Sequence, residues 1–356
     1  MAEPEREARP ADGRRRRSAA SVLVVILVAF VLGALLNAPA MKRTALELPY
    51  GGERSFRLAL LNPLAAMSHW FFLDRPAKLT AAALDRPDPG PAGDDVVVVV
   101  TPSPRPPKKP HAGDANRPLP APLKGHPMHL YIAGDSMMGL PGMALVNLSR
   151  KTRLIKPKLD YRISSGLCRP DFFNWPAQLQ QQVKKFNPGA VALMFGANDN
   201  QALQTSSGDV YQFESDGWKK EYRRRVRDAI LLLLDGGVRR VYWIGLPVMP
   251  GATYNRQVKV LNEIYRAEAA THPEVRYIDA YALLSTDGGA YTQYLRDADG
   301  DMQQVRETDG EHLTYAGGMR IADAVVHAIK QEWLARRSPA KGGSSREGSG
   351  GAKSTH

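Results

Sequence analysis

Between residues 128 and 335, short apolar runs alternate with longer stretches whose apolar positions recur at helical spacing. "HLYIAG" is followed by such a stretch at 137–150, "DYRIS" by one at 176–186 and "AVALMFG" by one at 217–235. "VRRVYWIGL" is then followed by 255–271, and "VRYIDA" by 315–335. Strand-like runs alternating with amphipathic helices predict an α/β domain, a parallel sheet with helices on both faces. In such sheets, ligands meet the residues just past the C-terminal ends of the strands. Ser136, Gly166, Asn198 and Pro247 all fall there.

Outside this region the pattern changes. Ser18 to Met41 contains no charged residue and is long enough to cross about 30 Å of hydrocarbon as a helix. Arg14, Arg15, Arg16 and Arg17 precede it, which predicts a cytoplasmic basic tail at 1–17, a membrane anchor at 18–41 and an extracytoplasmic remainder, periplasmic or cell-surface. Ala38-Pro39-Ala40 has the small residues of a cleavage site, but the apolar stretch exceeds a signal-peptide core, so an uncleaved anchor is expected. Residues 42–84 carry Phe56, Leu60, Leu64, Trp70 and Phe71 in a pattern suited to a stalk or a membrane-surface segment. Residues 85–127 read as a Pro-rich linker, 128–337 as the folded domain and 338–356 as a Gly- and Ser-rich disordered tail.

The formal net charge of +12 invites a nucleic-acid reading. Lys and Arg nearly balance Asp and Glu between 128 and 335, however, and the excess sits mostly in the ends and the linker. Arg223, Arg224, Arg225 and Arg227 interleave with Val226, Ile230 and Leu233 as a solvated helix face would. No nucleic-acid partner is expected. The single cysteine, Cys168, rules out an internal disulfide framework and reads as a small, partly buried residue beside a loop.

The candidate chemistry begins in "HLYIAGDSMMGLPGMAL", where Gly134-Asp135-Ser136 separates a strand from a helix. Gly-Asp-Ser there is also good helix-cap chemistry. A hydroxyl at such a turn stands free of the sheet beside unpaired backbone N–H groups, as a nucleophile requires. It needs a base and a group to orient that base. His129, His272 and His327 sit where a structural imidazole is expected. His312 lies instead in "ETDGEHLTYAGG", with Asp309 three residues before it, on a loop entering the last helix. That offset lets the carboxylate accept from Nδ1–H and leaves Nε2 free to take the serine proton. In "MFGANDNQ" the side-chain amide of Asn198 can donate to an oxyanion, with the backbone N–H groups of Ser136 and of Gly166 in "SSGLCRP".

Gly134-Asp135-Ser136, Gly166, Gly196-Ala197-Asn198-Asp199 and Asp309-Gly310-Glu311-His312, in that order, resemble the SGNH/GDSL hydrolase family over about residues 128–335. The resemblance implies a flavodoxin-like three-layer α/β/α domain. It also implies Ser136 as nucleophile, His312 as base, Asp309 as its orienting acid, and Ser136, Gly166 and Asn198 as the oxyanion hole. Two positions depart from the family: Met137 stands where Leu is common, and the second block is compressed to Ser165-Gly166-Leu167. The anchored layout and the Gly-Asp-Ser-Met form also resemble extracytoplasmic bacterial O-acetyltransferases acting on cell-wall or secreted glycans.

These features predict a membrane-anchored serine esterase removing acyl groups, O-acetyl above all, from an envelope or exported glycan. Two alternatives stay open: an O-acetyltransferase served by a membrane acyl-transfer partner or an external donor, and a non-enzymatic glycan-binding scaffold on a hydrolase fold. No cofactor and no metal are called for. "DADGD" at 297–301 imitates a calcium loop, but Met302 and Thr308 stand where Gly and Glu are required, so it reads as a surface turn. In "RPDFFNWP", Phe172, Phe173 or Trp175 could stack on a sugar ring with Asp171 accepting from its hydroxyls; the competing role is core packing.

Overall fold

The computed structural model describes residues 19–48, 50–72, 119, 122–123 and 125–335. The basic tail at 1–17, most of the linker at 85–127 and the tail at 338–356 lie outside the described residues. The chain divides into two compact units, Met1–Asp95 and Val96–His356.

The first unit holds two helices, α1 (Ala19–Glu47) and α2 (Gly52–Trp70), packed against each other. The apolar segment continues as helix past Met41, and by length and composition Ala20–Leu46 is sufficient to cross a membrane.

The second unit runs β1 (Met128–Gly134), a single 3-10 turn (Ser136–Met138), α3 (Gly139–Lys151), β2 (Ile155–Tyr161), α4 (Trp175–Phe186) and β3 (Ala190–Met194). A hairpin of β4 (Leu203–Gln204) and β5 (Val210–Tyr211) follows, then α5 (Asp216–Asp235), β6 (Arg240–Ile244), α6 (Ala252–Ala270), β7 (Val275–Ile278) and a short α7 (Ala280–Leu283). The unit closes with a second hairpin, β8 (Tyr294–Arg296) and β9 (Met302–Gln304), and with α8 (Tyr315–Ala335). Five parallel strands lie in the order β2-β1-β3-β6-β7. α3 packs on α8, while α4, α5 and α6 pack in succession, so the sheet is sandwiched between two helical layers. This is the parallel sheet with helices on both faces read from the alternation of runs, in the three-layer, flavodoxin-like order that the family resemblance implies.

β3 and β6 are buried throughout, as central strands covered on both faces must be. Trp175, Trp218, Trp243, Tyr131 and Phe195 fill the space between sheet and helices, each removing a large apolar surface from water. The edge strand does not match its predicted position. β2 is "IKPKLDY", beginning before the "DYRIS" run and ending at Tyr161. Pro157 and the alternating lysines disguise it, and both are tolerated because an edge strand has one unpaired side. Packing also begins before residue 128, since Leu119, inside the stretch read as linker, is buried in the core.

β1 is paired to β3 through Gly134↔Met194 and to β2 through Gly134↔Tyr161, so three strands end at one level. Gly134 is required there, because a Cβ would lie 2.1 Å from the Met194 carbonyl oxygen. The loops leaving these ends carry the residues of interest.

Candidate active site

Ser136 opens the 3-10 turn directly after β1, and its Oγ lies 3.0 Å from Nε2 of His312. Nδ1 of the same ring is 2.7 Å from Asp309 Oδ2, while Asp309 Oδ1 accepts from the backbone N–H groups of Glu311 and His312 at 2.8 and 2.9 Å. Burial pushes the Asp309 carboxyl up, but the bonds from His312 and Glu311 outweigh it and hold the group below its ordinary value. An ionised Asp309 fixes the proton on Nδ1. In that tautomer of the neutral ring, Nε2 is the acceptor and the serine hydroxyl donates to it. The side chains of Asp309 and His312 are 49% and 41% exposed, so the array opens to solvent.

The 309–312 loop is anchored from below by Arg306. Its fully buried guanidinium donates to the carbonyls of Glu311 at 3.1 Å and Val248 at 2.6 Å, tying the loop to the segment after β6. Burial lowers its pKa to about 10.

Two buried carboxylates hold the remaining loops. Asp135 accepts from Met137 N–H at 2.9 Å through one oxygen, and from Gly196 and Ala197 N–H at 2.8 and 2.9 Å through the other. Burial raises its pKa to about 7 against the pull of those three donors, and the nearby Asp199 charge adds to the rise. Asp199 accepts from Leu167 N–H at 3.0 Å, Cys168 N–H at 2.7 Å and the Tyr222 hydroxyl at 2.7 Å. Its carboxyl is likewise raised by burial, against the bonds from Cys168, Tyr222 and Leu167. The Tyr222 hydroxyl meets that of Tyr265, which donates to Phe195 O at 3.1 Å, while Tyr254 donates to Ala197 O at 3.0 Å.

Helical spacing puts Tyr222 and Tyr265 at buried positions of α5 and α6, but nothing in the motifs ties them, or the half-buried Tyr254, to Asp199 and the loop after β3.

Among the described residues, the N–H groups of Ser136 and Gly166 donate to no other protein group. Asn198 Nδ2 donates to Ser165 O at 3.0 Å, which joins the loop after β3 to the loop holding Gly166. Gly166 has no room for a side chain: a Cβ would stand 2.2 Å from Asp199 Oδ1. Gly196 has φ +124, a backbone conformation that favours glycine, and a Cβ there would meet the Tyr265 hydroxyl at 2.5 Å.

The aromatic cluster requires a correction. Trp175 is fully buried, edge-on to Phe173 and Phe195 with centroids 4.8 and 4.9 Å away, and donates its indole N–H to Ser165 Oγ at 2.9 Å. It cannot stack on a sugar. It starts α4, capped by Asn174, which accepts from Ala177 N–H at 3.0 Å, and it buttresses the loop before Gly166. Phe172 and Asp171 are part-buried beside Arg169, which lies 5.9 Å over the Phe172 ring and 3.4 Å from Asp171 Oδ1.

Three further histidines make contacts away from this array. His129 stacks on Phe186 and contacts its carbonyl oxygen at 2.7 Å, His272 closes α6 against Glu268 O at 3.0 Å, and His327 lies beside Gln331. Arg224 and Arg225 pair with Glu221, and Arg223 and Arg227 face the buried Glu268. Cys168 is buried, its thiol pushed up chiefly by burial. The 297–301 stretch is the exposed turn of the β8–β9 hairpin, where Asp297 accepts from Asp299 and Asp301 N–H.

Fold and site together define an α/β/α protein with a Ser–His–Asp array at the carboxyl ends of its strands. The chain belongs to the family described as "Protein of unknown function (DUF459)", whose model matches residues 129–328. No curated protein matches the sequence. Among solved structures, it is similar to the C-terminal catalytic domain of peptidoglycan O-acetyltransferase A (OatA) of Streptococcus pneumoniae. That match has 13% identity and a TM-score of 0.35, covering 58% of this chain and 96% of that one. It is also similar to a family 3 carbohydrate esterase of Clostridium thermocellum, with 14% identity, coverage of 57% and 98%, and a TM-score of 0.37.

Proposed function

We propose that the domain is a serine esterase of the SGNH/GDSL type, anchored in the membrane through residues 18–41 with its site outside the cytoplasm, and that it removes O-acetyl groups from an envelope or exported glycan. The observation that carries this reading is the 3.0 Å approach of Ser136 Oγ to a histidine whose other nitrogen is held by an ionised aspartate. In the reaction, Nε2 of His312 takes the Ser136 proton as Oγ bonds to the ester carbonyl carbon. The carbonyl oxygen becomes an oxyanion facing the N–H groups of Ser136 and Gly166 and the Asn198 amide. The bond to the sugar oxygen then breaks, and His312 returns its proton to that oxygen, leaving acyl-Ser136. Water, activated by the same imidazole, attacks the acyl carbon; acetic acid leaves and the serine is restored. The exposed setting of Asp309 and His312 suits an acyl group carried on a polymer.

The test is intact-protein mass spectrometry after exposure to an activated acetyl ester. One acetyl adduct, absent from Ser136→Ala and lost with time in water, is expected. An adduct that is stable in water but discharged by an added glycan would make the enzyme an O-acetyltransferase. No adduct and no turnover would leave a glycan-binding scaffold as the reading.

A further inference from the structure

The two helices of the first unit differ in what their faces touch. On α2, the buried residues Arg54, Leu61, Ala65 and Ser68 recur at the spacing of one helical stripe, and this stripe packs on α1. Phe56, Leu60, Met67, Trp70 and Phe71 form a second stripe about half a turn away, and all five are exposed, Phe56 by 72% and Trp70 by 77%. The polar residues Ser55, Asn62 and His69 lie on one flank between the stripes, Glu53 and Arg57 on the other. A helix with its partner on one side and water on all others would not place its largest apolar side chains opposite that partner.

We infer that this outward stripe of α2 is a lipid-contacting surface, α2 dipping beside α1 into the extracytoplasmic leaflet and the chain leaving the membrane on that same side. The inference rests on the reading that α1 spans the bilayer. Three observations select lipid as the occupant. First, the stripe is continuous in character with α1, whose residues from Val22 to Leu32 expose an unbroken apolar surface. Second, Ala38 and Ala45 of α1 and Ala65 and Ser68 of α2 are buried where the helices meet, and small residues are what lets helices approach closely inside a membrane. Third, the Arg54 guanidinium lies 4.1 Å over the Tyr50 ring near the turn between the helices, at the end of α2 that this placement puts nearest the headgroups. Aromatic and cationic side chains of this kind sit where hydrocarbon meets headgroups. The connection at 48–51 is so short that α2 must run back along the part of α1 from Leu35 to Leu46. The stripe is thereby carried into the leaflet from which α1 emerges.

The experiment uses the full chain in phosphatidylcholine–phosphatidylglycerol vesicles, with a nitroxide attached to one introduced cysteine at a time. Phe56→Cys, Leu60→Cys and Met67→Cys report the stripe, Asn62→Cys the polar flank and Ile26→Cys the middle of α1. All are exposed, so the label does not disturb packing, and the buried Cys168 of the parent sets the background. At the stripe, relaxation by oxygen relative to a water-soluble nickel chelate is expected severalfold above that at Asn62 and close to that at Ile26. Nickel access at the stripe with Ile26 in lipid would overturn the inference while leaving α1 as a span. Shielding of the stripe from both relaxants would overturn it in favour of a second copy or another protein. Nickel access at Ile26 would remove the anchoring reading and this inference with it.

Discussion

Four side chains carry the chemistry proposed for this site, and their replacement predicts three kinds of loss. Ser136→Ala and His312→Ala are expected to abolish turnover of an activated ester, because each removes an atom that forms or breaks a bond. Asp309→Asn should retain a residue of activity, since it disturbs the tautomer and orientation of His312 and leaves the nucleophile in place. Asn198→Ala should cost about 2.7–4 kcal/mol of transition-state stabilisation, read as a fall in kcat with KM little changed. A change confined to KM would move Asn198 out of the oxyanion role. Asp135 predicts a pH effect. Its carboxyl titrates near 3.8 in an unfolded chain and at about 7 in the fold. The folded protein therefore holds a proton there that the unfolded chain has released, and this contribution to stability is complete below about pH 4 and lost as the pH rises through about 7. Asp135→Asn does not titrate. It is expected to be less stable than the parent, having lost an acceptor for one of three backbone donors, and its deficit in Tm should shrink between about pH 4 and pH 7. A constant deficit across that range would show that Asp135 is ionised throughout.

Among the elements, α4 and the loop before it give the clearest test of the corrected aromatic cluster. Trp175→Ala should destabilise the domain by about 3–5 kcal/mol, as truncation of a buried aromatic does. It should lower activity on a small acetyl ester and on an acetylated oligosaccharide alike, because Ser165 and Gly166 lose their support. A loss confined to the oligosaccharide would restore a binding role.

The same segment shows where the sequence could be read and where it could not. Ser136, Asp309 and His312 stand out in the sequence because each lies at a strand or loop end in a short motif, and in the structure the three side chains are within hydrogen-bond reach of one another in series. Trp175 was ambiguous because an aromatic beside a catalytic loop has the same one-dimensional appearance whether it points in or out. β2 was misplaced because an edge strand carries Pro157 and lysines where a central strand cannot. The two hairpins, 203–211 and 294–304, left no periodic trace, since strands of two or three residues are shorter than any pattern that could reveal them. Asp199 and its bonds to Leu167 and Cys168 join positions some thirty residues apart, on the loops after β2 and β3, which flank β1 in the sheet.

For the whole molecule, the apolar α1 predicts behaviour in fractionation. The full chain should stay with membranes through an alkaline carbonate wash and leave with detergent, and a reporter fused after His356 should be active only outside the cytoplasm. A mature chain beginning near Met41 would show that the segment is removed. Within the domain, the site's loops are held by two carboxylates that grip main-chain N–H groups: those of Met137, Gly196 and Ala197 for Asp135, and those of Leu167 and Cys168 for Asp199. Apart from Gly196, which has no room for a side chain, a grip on the main chain does not itself depend on what side chain the gripped residue bears. Side chains of the surrounding loops can therefore be exchanged, and with them the kind of substrate that fits, without breaking these bonds. The constraint falls on the two aspartates, on Arg306 beneath the 309–312 loop and on Gly134, Gly166 and Gly196, where a side chain has no room.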